Sequence, residues 1–512
     1  MFTVAERVLG FLFKIYLSRE IGAVGMGIFS VAQSFFFVLL TLLTSGVPLV
    51  VSKLTAKDKA KSGSVCSAAL IFELIVALSV CGIVLLFNKP IGALFAESES
   101  MTLVIIMLPA LVFSGVYSAF RGVLWGEKKF AGVSTVELIE QIARIVACIV
   151  LFKLFADKNK AVALSTSISC AVSALACALF YFCGKRKLKS PKNSLKPLIT
   201  TSLPITFSRT ASSVNNYIIA IAIPFLLMSS GLNSEQSMYV FGSSVGMALP
   251  LLYLPITVVG SLAFAMIPTL SKAYAENDRK SMRSQIENAL KFSVIIAAVV
   301  LPVYISLGDN LGTFIYNNTD AGTFLKKSSW LLIPLAFENI ASSMLNSLDL
   351  EKKSLINYLI GAAVMYVISF AFYKHFDMDI FMIAFGVSLI VSATLDVIDI
   401  KRRSGIKLSF VKPLLICLAC AVPATFFTEY ISSIIPGNIL PIIVAGIGGT
   451  CFMALGAVIF GAIDFDVNIA KRSKHERKHK HKPTLFSKRG KKTSGSKADS
   501  PAAEAVPDKR RI

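Results

Sequence analysis

The sequence has few charged residues and lacks the motifs of the common enzyme classes. Asp, Glu, Lys and Arg make up 16% of its 512 residues, whereas hydrophobic residues make up 55%. It contains no P-loop, no H-E-x-x-H helix, no G-x-S-x-G elbow and no Rossmann glycine pattern. Its loops are too short to hold a soluble catalytic domain. The sequence therefore predicts a protein that is not an enzyme and that uses no cofactor or metal ion.

The nine cysteines lack the arrangement of a disulfide framework. Nearly all of them lie in apolar runs, and an odd number placed in this way does not suit paired bridges. Cys417 and Cys420 form a C-x-x-C pattern inside a hydrophobic run, where we interpret them as small packing residues rather than as a redox or metal site.

Long apolar runs, by contrast, fill most of the chain. Runs of about 20 residues are long enough to cross a bilayer as helices, and they do not alternate with polar residues as barrel strands do. We therefore predict an all-α polytopic membrane protein with about 14 transmembrane helices. The predicted spans are approximately residues 1–18, 28–52, 65–87, 101–120, 133–155, 161–183, 198–228, 238–268, 287–308, 330–348, 355–373, 379–398, 410–430 and 438–463.

Basic residues are distributed unequally between alternate loops. One set of loops holds roughly three times as many Lys and Arg as the other, which marks the cytoplasmic side. An even number of spans then places both termini in the cytoplasm. Half of the net charge of +22 lies in the tail from Lys471, whose polar composition predicts disorder. We expect this tail to contact anionic membrane lipids, and we expect no nucleic-acid partner.

An internal repeat divides the spans into two groups. Val47–Lys53 resembles Ile267–Lys272, and Glu127–Lys129 resembles Glu351–Lys353, with about 220 residues between the members of each pair. Six predicted spans separate them, so both copies share one orientation, and we predict two pseudo-symmetric six-helix lobes with two extra C-terminal helices. The predicted parts are an N-terminal lobe (1–183), a basic cytoplasmic linker (184–197), a C-terminal lobe (198–400), two additional helices (401–465) and a disordered basic cytoplasmic tail (466–512).

Three ionisable residues interrupt the predicted span 133–155. Glu137, Glu140 and Arg144 are spaced by three, four and seven residues, which puts them on one face of a helix. Ionisable groups at membrane depth are costly and usually face a protein interior or a watery cavity. We predict a gating or ion-coupling role for them. The alternative is a Glu140–Arg144 ion pair that only fixes helix packing.

Two other spans carry basic residues on one face. Arg7 and Lys14 share a face of the first span, and Arg209 and Asn216 share a face of the seventh, which has the equivalent place in the second lobe. Positive charge of this kind suits a phosphate or pyrophosphate, so we predict that these four residues bind substrate. The alternative is that Lys14 snorkels to an interface and Arg7 marks the membrane edge.

Glu338 lies within a polar stripe of the predicted span 330–348. We predict a gating or ion-coupling role for it as well. Hydrogen bonds that only hold helices together are the alternative for any single polar residue of this kind.

Six segments of the chain together resemble one protein family. They are R-V-L-G-F at 7–11, S-R-E-I-G-A-V-G-M-G at 18–27, G-V-P-L-V-V-S-K-L at 46–54, F-R-G-V-L-W-G at 120–126, E-L-I-E-Q-I-A-R at 137–144 and P-T-L-S-K at 268–272. They are similar to the oligosaccharide flippase branch of the multidrug/oligosaccharidyl-lipid/polysaccharide exporter superfamily. Within that branch, the chain resembles the stage V sporulation protein B group and, more distantly, the lipid II flippases.

The resemblance implies two six-helix lobes around a central cavity, and flipping of undecaprenyl-pyrophosphate-linked sugars across the bacterial cytoplasmic membrane. It also implies that Arg7 faces the cavity, because Arg7 matches the basic residue before V-L-G in the lipid II flippases. Thr41 and Pro250 stand where that group has two further cavity arginines.

We therefore expect a monomeric flippase that moves a lipid-linked oligosaccharide or peptidoglycan precursor by alternating access. One alternative is a cation-coupled multidrug exporter of the same superfamily, which would prefer an acidic cavity. Another is a non-transporting membrane scaffold in envelope or spore assembly, in which charged cavity residues would be dispensable.

Overall fold

The computed structural model describes residues 2–184, 186–192, 194–406, 411–437 and 439–462. All regular secondary structure in these ranges is helical. The predicted disordered tail, residues 466–512, and its expected contact with anionic lipids lie outside the described residues.

The helices follow one another along the chain with short connections between them. One π-helix, Gly242–Ala248, lies among them. The α-helices are α1 (Phe2–Thr44), α2 (Val47–Lys57), α3 (Ser62–Leu86), α4 (Asn88–Gly92), α5 (Ser98–Gly126), α6 (Phe130–Leu154), α7 (Lys158–Cys183), α8 (Leu195–Ser229), α9 (Ser234–Phe241), α10 (Leu249–Leu252), α11 (Leu254–Ala275), α12 (Arg279–Tyr316), α13 (Thr319–Ser328), α14 (Leu332–Ser347), α15 (Glu351–Ala371), α16 (Met378–Ser404), α17 (Val411–Ile434) and α18 (Leu440–Ile459).

Within the described ranges, 11 helical stretches are long and apolar enough to cross a membrane. The predicted fold class is confirmed, but the predicted count of 14 spans is not. The first two predicted spans fall in one apolar stretch, Ala5–Lys57. Helix α6 is continuous, but charged residues lower its hydropathy. Helix α14 has only 16 residues, fewer than the ~20 that usually span a bilayer.

Helix α1 is divided at Gly22. It contains 43 residues, which would extend about 65 Å if straight, roughly twice the thickness of a hydrocarbon core. Gly22 has φ 68° and ψ −175°, a backbone conformation that only glycine adopts readily. The break separates the residues of the first predicted span from those of the second.

Two glycines bring α1 directly against α9 and the π-helix. A Cβ atom at Gly27 would overlap the backbone oxygen of Met238, and one at Gly242 would overlap the backbone oxygen of Ala23. A helix of the predicted N-terminal lobe therefore meets the predicted C-terminal lobe backbone to backbone. The loop charges predict that this contact lies on the side of the membrane away from the cytoplasm.

Polar side chains reinforce the contact between the two predicted lobes. Ser234 Oγ donates a 2.6 Å hydrogen bond to Glu97 Oε2. Arg19 Nε donates a 2.7 Å hydrogen bond to the Ile315 carbonyl, and its Nη2 donates to the Phe314 carbonyl. The lobes are thus held together here by backbone packing and by hydrogen bonds.

We predict that Gly242→Ala lowers the thermal unfolding midpoint of the detergent-purified protein. Overpacking a close contact typically costs ~1–3 kcal/mol. Gly82→Ala is the matched control, because a Cβ there would meet no atom within 4 Å. That control should keep or raise the midpoint, since glycine in a helix interior costs about 0.5–1 kcal/mol relative to alanine. An unchanged midpoint for Gly242→Ala would contradict the close contact.

The linker after α7 is bound to the predicted N-terminal lobe. Arg186 Nε donates a 2.9 Å hydrogen bond to Glu127 Oε1, and Arg186 Nη2 pairs with the second carboxylate oxygen. The same guanidinium lies 5.5 Å from the centre of the Tyr181 ring. Ser64 Oγ donates a 2.7 Å hydrogen bond to the Ser190 carbonyl. This part of the linker is therefore attached to the N-terminal lobe rather than being a free connection.

The Glu127–Arg186 pair predicts a dependence of stability on pH. Hydrogen bonding from Arg186 holds the pKa of Glu127 below its ordinary value. A carboxylate with a lowered folded-state pKa adds stability above its unfolded-state pKa, and this contribution is lost as the pH falls through the folded-state pKa. Since an unfolded Glu titrates near ~4.3, the thermal midpoint should be compared over roughly pH 5 to pH 3.

We predict that the midpoint falls less over this range in Glu127→Gln and in Arg186→Gln than in the unmodified protein. Either variant removes the interaction that lowers the pKa of Glu127. An identical decline in all three proteins would show that other carboxylates control the acid response.

Candidate functional site

Two cavities lie on different faces of α1. The N-terminal cavity has a volume of about 370 Å³ and is lined by α1, α5, α6 and α7. The C-terminal cavity has a volume of about 330 Å³ and is lined mainly by α8, α14, α15 and α16. Gln33 of α1 lines the first and the adjacent Ser34 lines the second. Both volumes are at the lower end of the range for small-molecule sites, about 300–1,000 Å³.

Charged side chains are concentrated in the N-terminal cavity. Acidic and basic residues line it in equal number, so their formal charges cancel. They come from α1, α5 and α6. They are Glu6, Lys14, Arg121, Glu137, Glu140 and Arg144.

Arg144 is held by partners on its own helix and on α7. Its Nη2 lies 2.6 Å from Glu140 Oε1, and its Nε donates a 3.1 Å hydrogen bond to Ser169 Oγ. The ion pair named as the packing alternative for these residues is therefore present. Both side chains also line the cavity, where hydrogen-bonding capacity of Arg144 remains for a ligand.

Arg121 is a cavity cation that was not among the predicted site residues. Helix α5 continues to Gly126, so Arg121 is helical, and its Nη1 lies 3.8 Å from Glu137 Oε1. Its guanidinium lies 5.0 Å from the Tyr117 ring centre and 4.7 Å from that of Trp125. These residues recur every four positions, which is the helical pattern that would have identified this face. The stacked guanidinium is partly desolvated and fixed in orientation.

Lys14 differs from the other two cavity cations in its partners. It is half-buried and lines the N-terminal cavity. Its ammonium makes no ion pair or hydrogen bond with any residue that the structure describes. An unpaired, partly desolvated cation is the simplest feature by which a cavity binds an anion.

The structure separates the four predicted substrate-binding residues. Lys14 lines the N-terminal cavity and Asn216 lines the C-terminal cavity, whereas Arg7 and Arg209 are exposed and line neither. At this level of α1 the residue that faces the cavity is Glu6. Arg7 follows it on the helix and therefore lies on a different, exposed face. The roles assigned to Arg7 and Arg209 remain predictions.

The predicted gating residues also divide between the cavities. Glu137, Glu140 and Arg144 share the N-terminal cavity, as their spacing on one helix face predicted. Glu338 lines the C-terminal cavity beside Asn216. Their gating or ion-coupling roles remain predictions.

A network of amide and phenol groups organises the C-terminal cavity. Asn215 Nδ2 donates a 2.8 Å hydrogen bond to Tyr358 Oη, and Tyr366 Oη donates a 2.9 Å hydrogen bond to Asn215 Oδ1. Tyr358 Oη lies 3.4 Å from Asn216 Oδ1. Glu338 makes no ion pair with any described residue. This cavity therefore combines neutral polar groups with one uncompensated carboxylate.

A double-mutant cycle on Glu140→Gln and Arg144→Gln tests whether the observed pair is energetically coupled. We predict that the double variant is less destabilised than the sum of the single variants, by about 0.5–3 kcal/mol, because each single change leaves a partner unpaired. Thermal or denaturant unfolding in detergent measures this difference. Additive effects would show that the pair contributes no mutual stabilisation.

Residues 1–274 match the family model described as polysaccharide biosynthesis protein. Stage V sporulation protein B of Bacillus subtilis (strain 168) is 24% identical over 384 residues, which cover 70% of this chain and 74% of that protein. Lipid II flippase MurJ of the same organism is 21% identical over 510 residues, covering 89% of this chain and 93% of that protein. Among solved structures, an inward closed conformation of lipid II flippase MurJ aligns with a TM-score of 0.70 at 16% identity, covering 90% of this chain and 97% of that one.

Proposed function

The chain belongs to the polysaccharide biosynthesis protein family, and from that premise we propose that it flips a polyprenyl-pyrophosphate-linked sugar across the bacterial cytoplasmic membrane. One of the relatives is a lipid II flippase, and the chain is a multi-pass membrane protein. In this proposal the substrate is a lipid-linked sugar, the protein lies in the bacterial cytoplasmic membrane, and both termini are cytoplasmic.

The observation that carries the proposal is the set of cations in the N-terminal cavity. Lys14 has no described partner, and the guanidinium groups of Arg121 and Arg144 face the same cavity. A pyrophosphate offers several oxygens that accept charge-assisted hydrogen bonds from such groups. Glu6, Glu137 and Glu140 balance the formal charge of these three cations. A bound anion would compete with these carboxylates for the cations, which gives the ligand a means of changing the helix contacts.

This charge balance favours the flippase over a cation-coupled drug exporter. A cation-coupled exporter is expected to have an acidic cavity, whereas acids and bases are equal in number in the N-terminal cavity. A membrane scaffold would have no need for an unpaired charge at membrane depth, and such a charge is costly to retain. Lys14 is therefore better explained by an anionic ligand than by either alternative.

We also propose that transport proceeds by alternating access. The backbone contacts at Gly27 and Gly242 hold the lobes together at one end of the molecule, which suits a state closed on that side. The Arg144–Glu140 ion pair lies within α6, and the Arg121–Glu137 ion pair connects α5 to α6. In this proposal Glu137, Glu140 and Arg144 change partners as the ligand binds, and Glu338 responds from the second cavity.

We predict that Lys14→Ala and Arg121→Ala each lower flipping of a fluorescent polyprenyl-pyrophosphate sugar in proteoliposomes by about tenfold or more. A hydrogen bond to a charged group contributes ~1.5–3 kcal/mol, which is the basis for that figure. Lys89→Ala is the matched control, because Lys89 is exposed in α4 and lines neither cavity. Arg7→Ala and Arg209→Ala should be included, since the sequence assigns both to the same ligand.

Unchanged transport by Lys14→Ala and Arg121→Ala would contradict a pyrophosphate site in the N-terminal cavity. The thermal midpoint of each variant must match that of the unmodified protein, so that lost transport is not lost folding. No transport by the folded unmodified protein with any of several headgroups would overturn the flippase assignment.

A further inference from the structure

The C-terminal cavity differs from the N-terminal cavity, whose charges are balanced, because it contains an acidic residue without a basic one. Among the described residues, Glu338 is the one charged residue that lines the C-terminal cavity, and no lysine, arginine or histidine lines it. A pyrophosphate placed there would face a carboxylate without a compensating cation, which low-dielectric surroundings make unfavourable. Whatever occupies this cavity is therefore uncharged or positive.

Two polar atoms in the cavity wall lack partners. Asn339 Oδ1 and Ser392 Oγ are buried and form no hydrogen bond with any described residue. Buried acceptors without partners are costly. Both side chains line the cavity, and a rotation that turned these atoms toward a hydrogen-bond donor of the ligand would remove that cost. Glu338 adds two further acceptor oxygens in the same cavity. The cavity thus offers several hydrogen-bond acceptors within a small volume. A sugar with hydroxyl and amide groups has the hydrogen-bond donors that such acceptors need.

The rest of the wall is built for a flat, partly apolar ligand. The Phe381 and Phe385 rings are parallel within 3°, with centres 5.8 Å apart, and both line the cavity with Tyr253 and Tyr358. The Asn215–Tyr358 hydrogen bond fixes one of these phenol groups in place. A sugar ring has an apolar face that packs on aromatic rings and an edge of hydroxyl groups that bind amides and carboxylates. Fixed partners of this kind reduce the entropy cost of binding.

The position of the two cavities suits a single ligand that reaches both. Gln33 and Ser34 are neighbours on α1 and line the N-terminal and C-terminal cavities respectively. Successive helical residues differ in height by only ~1.5 Å. The two cavities therefore reach α1 at the same depth, on different faces of this helix.

We propose that the C-terminal cavity binds the sugar headgroup of the transported lipid while the N-terminal cavity binds its pyrophosphate. This inference rests on the proposed function and adds a second subsite with its own ligand chemistry. The competing occupant is a cation bound by Glu338. A small inorganic cation would make no use of the aromatic wall, which favours the sugar.

Binding to the full-length protein in detergent separates these possibilities. The probes are a short-chain polyprenyl pyrophosphate without sugar, the same lipid carrying N-acetylglucosamine, sodium ion, and tetraphenylphosphonium. We expect the sugar to tighten binding at least tenfold over the sugar-free lipid. Asn339→Leu and Ser392→Ala should lose most of that gain while binding the sugar-free lipid as before, which also verifies that they fold.

Glu338→Gln distinguishes a sugar from a cation. Gln still accepts and donates hydrogen bonds to hydroxyl groups, so the sugar-dependent gain should fall no more than about threefold. A cation site would instead be abolished by this change. Binding of sodium or tetraphenylphosphonium that is lost in Glu338→Gln, with no gain from the sugar, would overturn the proposal.

The two proposals fail in different ways. If the unmodified protein binds the sugar-free lipid and the sugar adds nothing, the sugar subsite is wrong and the flippase proposal stands. If the protein binds neither lipid, the flippase proposal fails and the subsite fails with it. Lys14→Ala should weaken both lipids equally, because it acts on the shared pyrophosphate.

Discussion

The cost of placing charge inside apolar helices is the constraint on which the first half of the structure depends. An ionisable side chain at membrane depth must pair, reach water or bind a ligand. Arg144 meets this requirement through Glu140 and Ser169, and Arg121 through Glu137 and two aromatic rings. Lys14 has none of these protein partners among the described residues. The charge can be retained there because a cavity surrounds it, and the proposed anionic ligand would supply the partner that the described residues do not.

Close helix packing provides the second constraint. Without a strong hydrophobic effect between helices in lipid, small residues and hydrogen bonds hold the helices together. Gly27 and Gly242 allow two helix backbones to meet, and Arg19 adds hydrogen bonds to the end of α12. Such contacts are short in range, so they hold the predicted lobes in one arrangement and would be lost together in the lobe movement that we propose. This behaviour is what a transporter with two discrete states requires.

Several features of the site could be read from the sequence, and others could not. The shared face of Glu137, Glu140 and Arg144 follows from helical periodicity, and the structure brings all three to one cavity. Arg121 was missed because it follows an apolar run and resembles a topology-determining loop charge. Its helical position became visible only when α5 was seen to continue to Gly126.

The sequence by itself determined the class of structure and the chemical inventory: apolar helices long enough to cross a membrane, and a small set of charged residues within them. These depend on local hydropathy and on bilayer thickness, which are readable along the chain. Only the tertiary structure decided which helix faces form the cavities. The face of α1 that lines the N-terminal cavity includes Glu6 and Lys14 but not Arg7, because neighbouring helices select the buried face, and periodicity alone does not name those neighbours. For the same reason the sequence showed one set of polar residues, whereas the fold divides them between a cavity of balanced charge and one with an unpaired carboxylate.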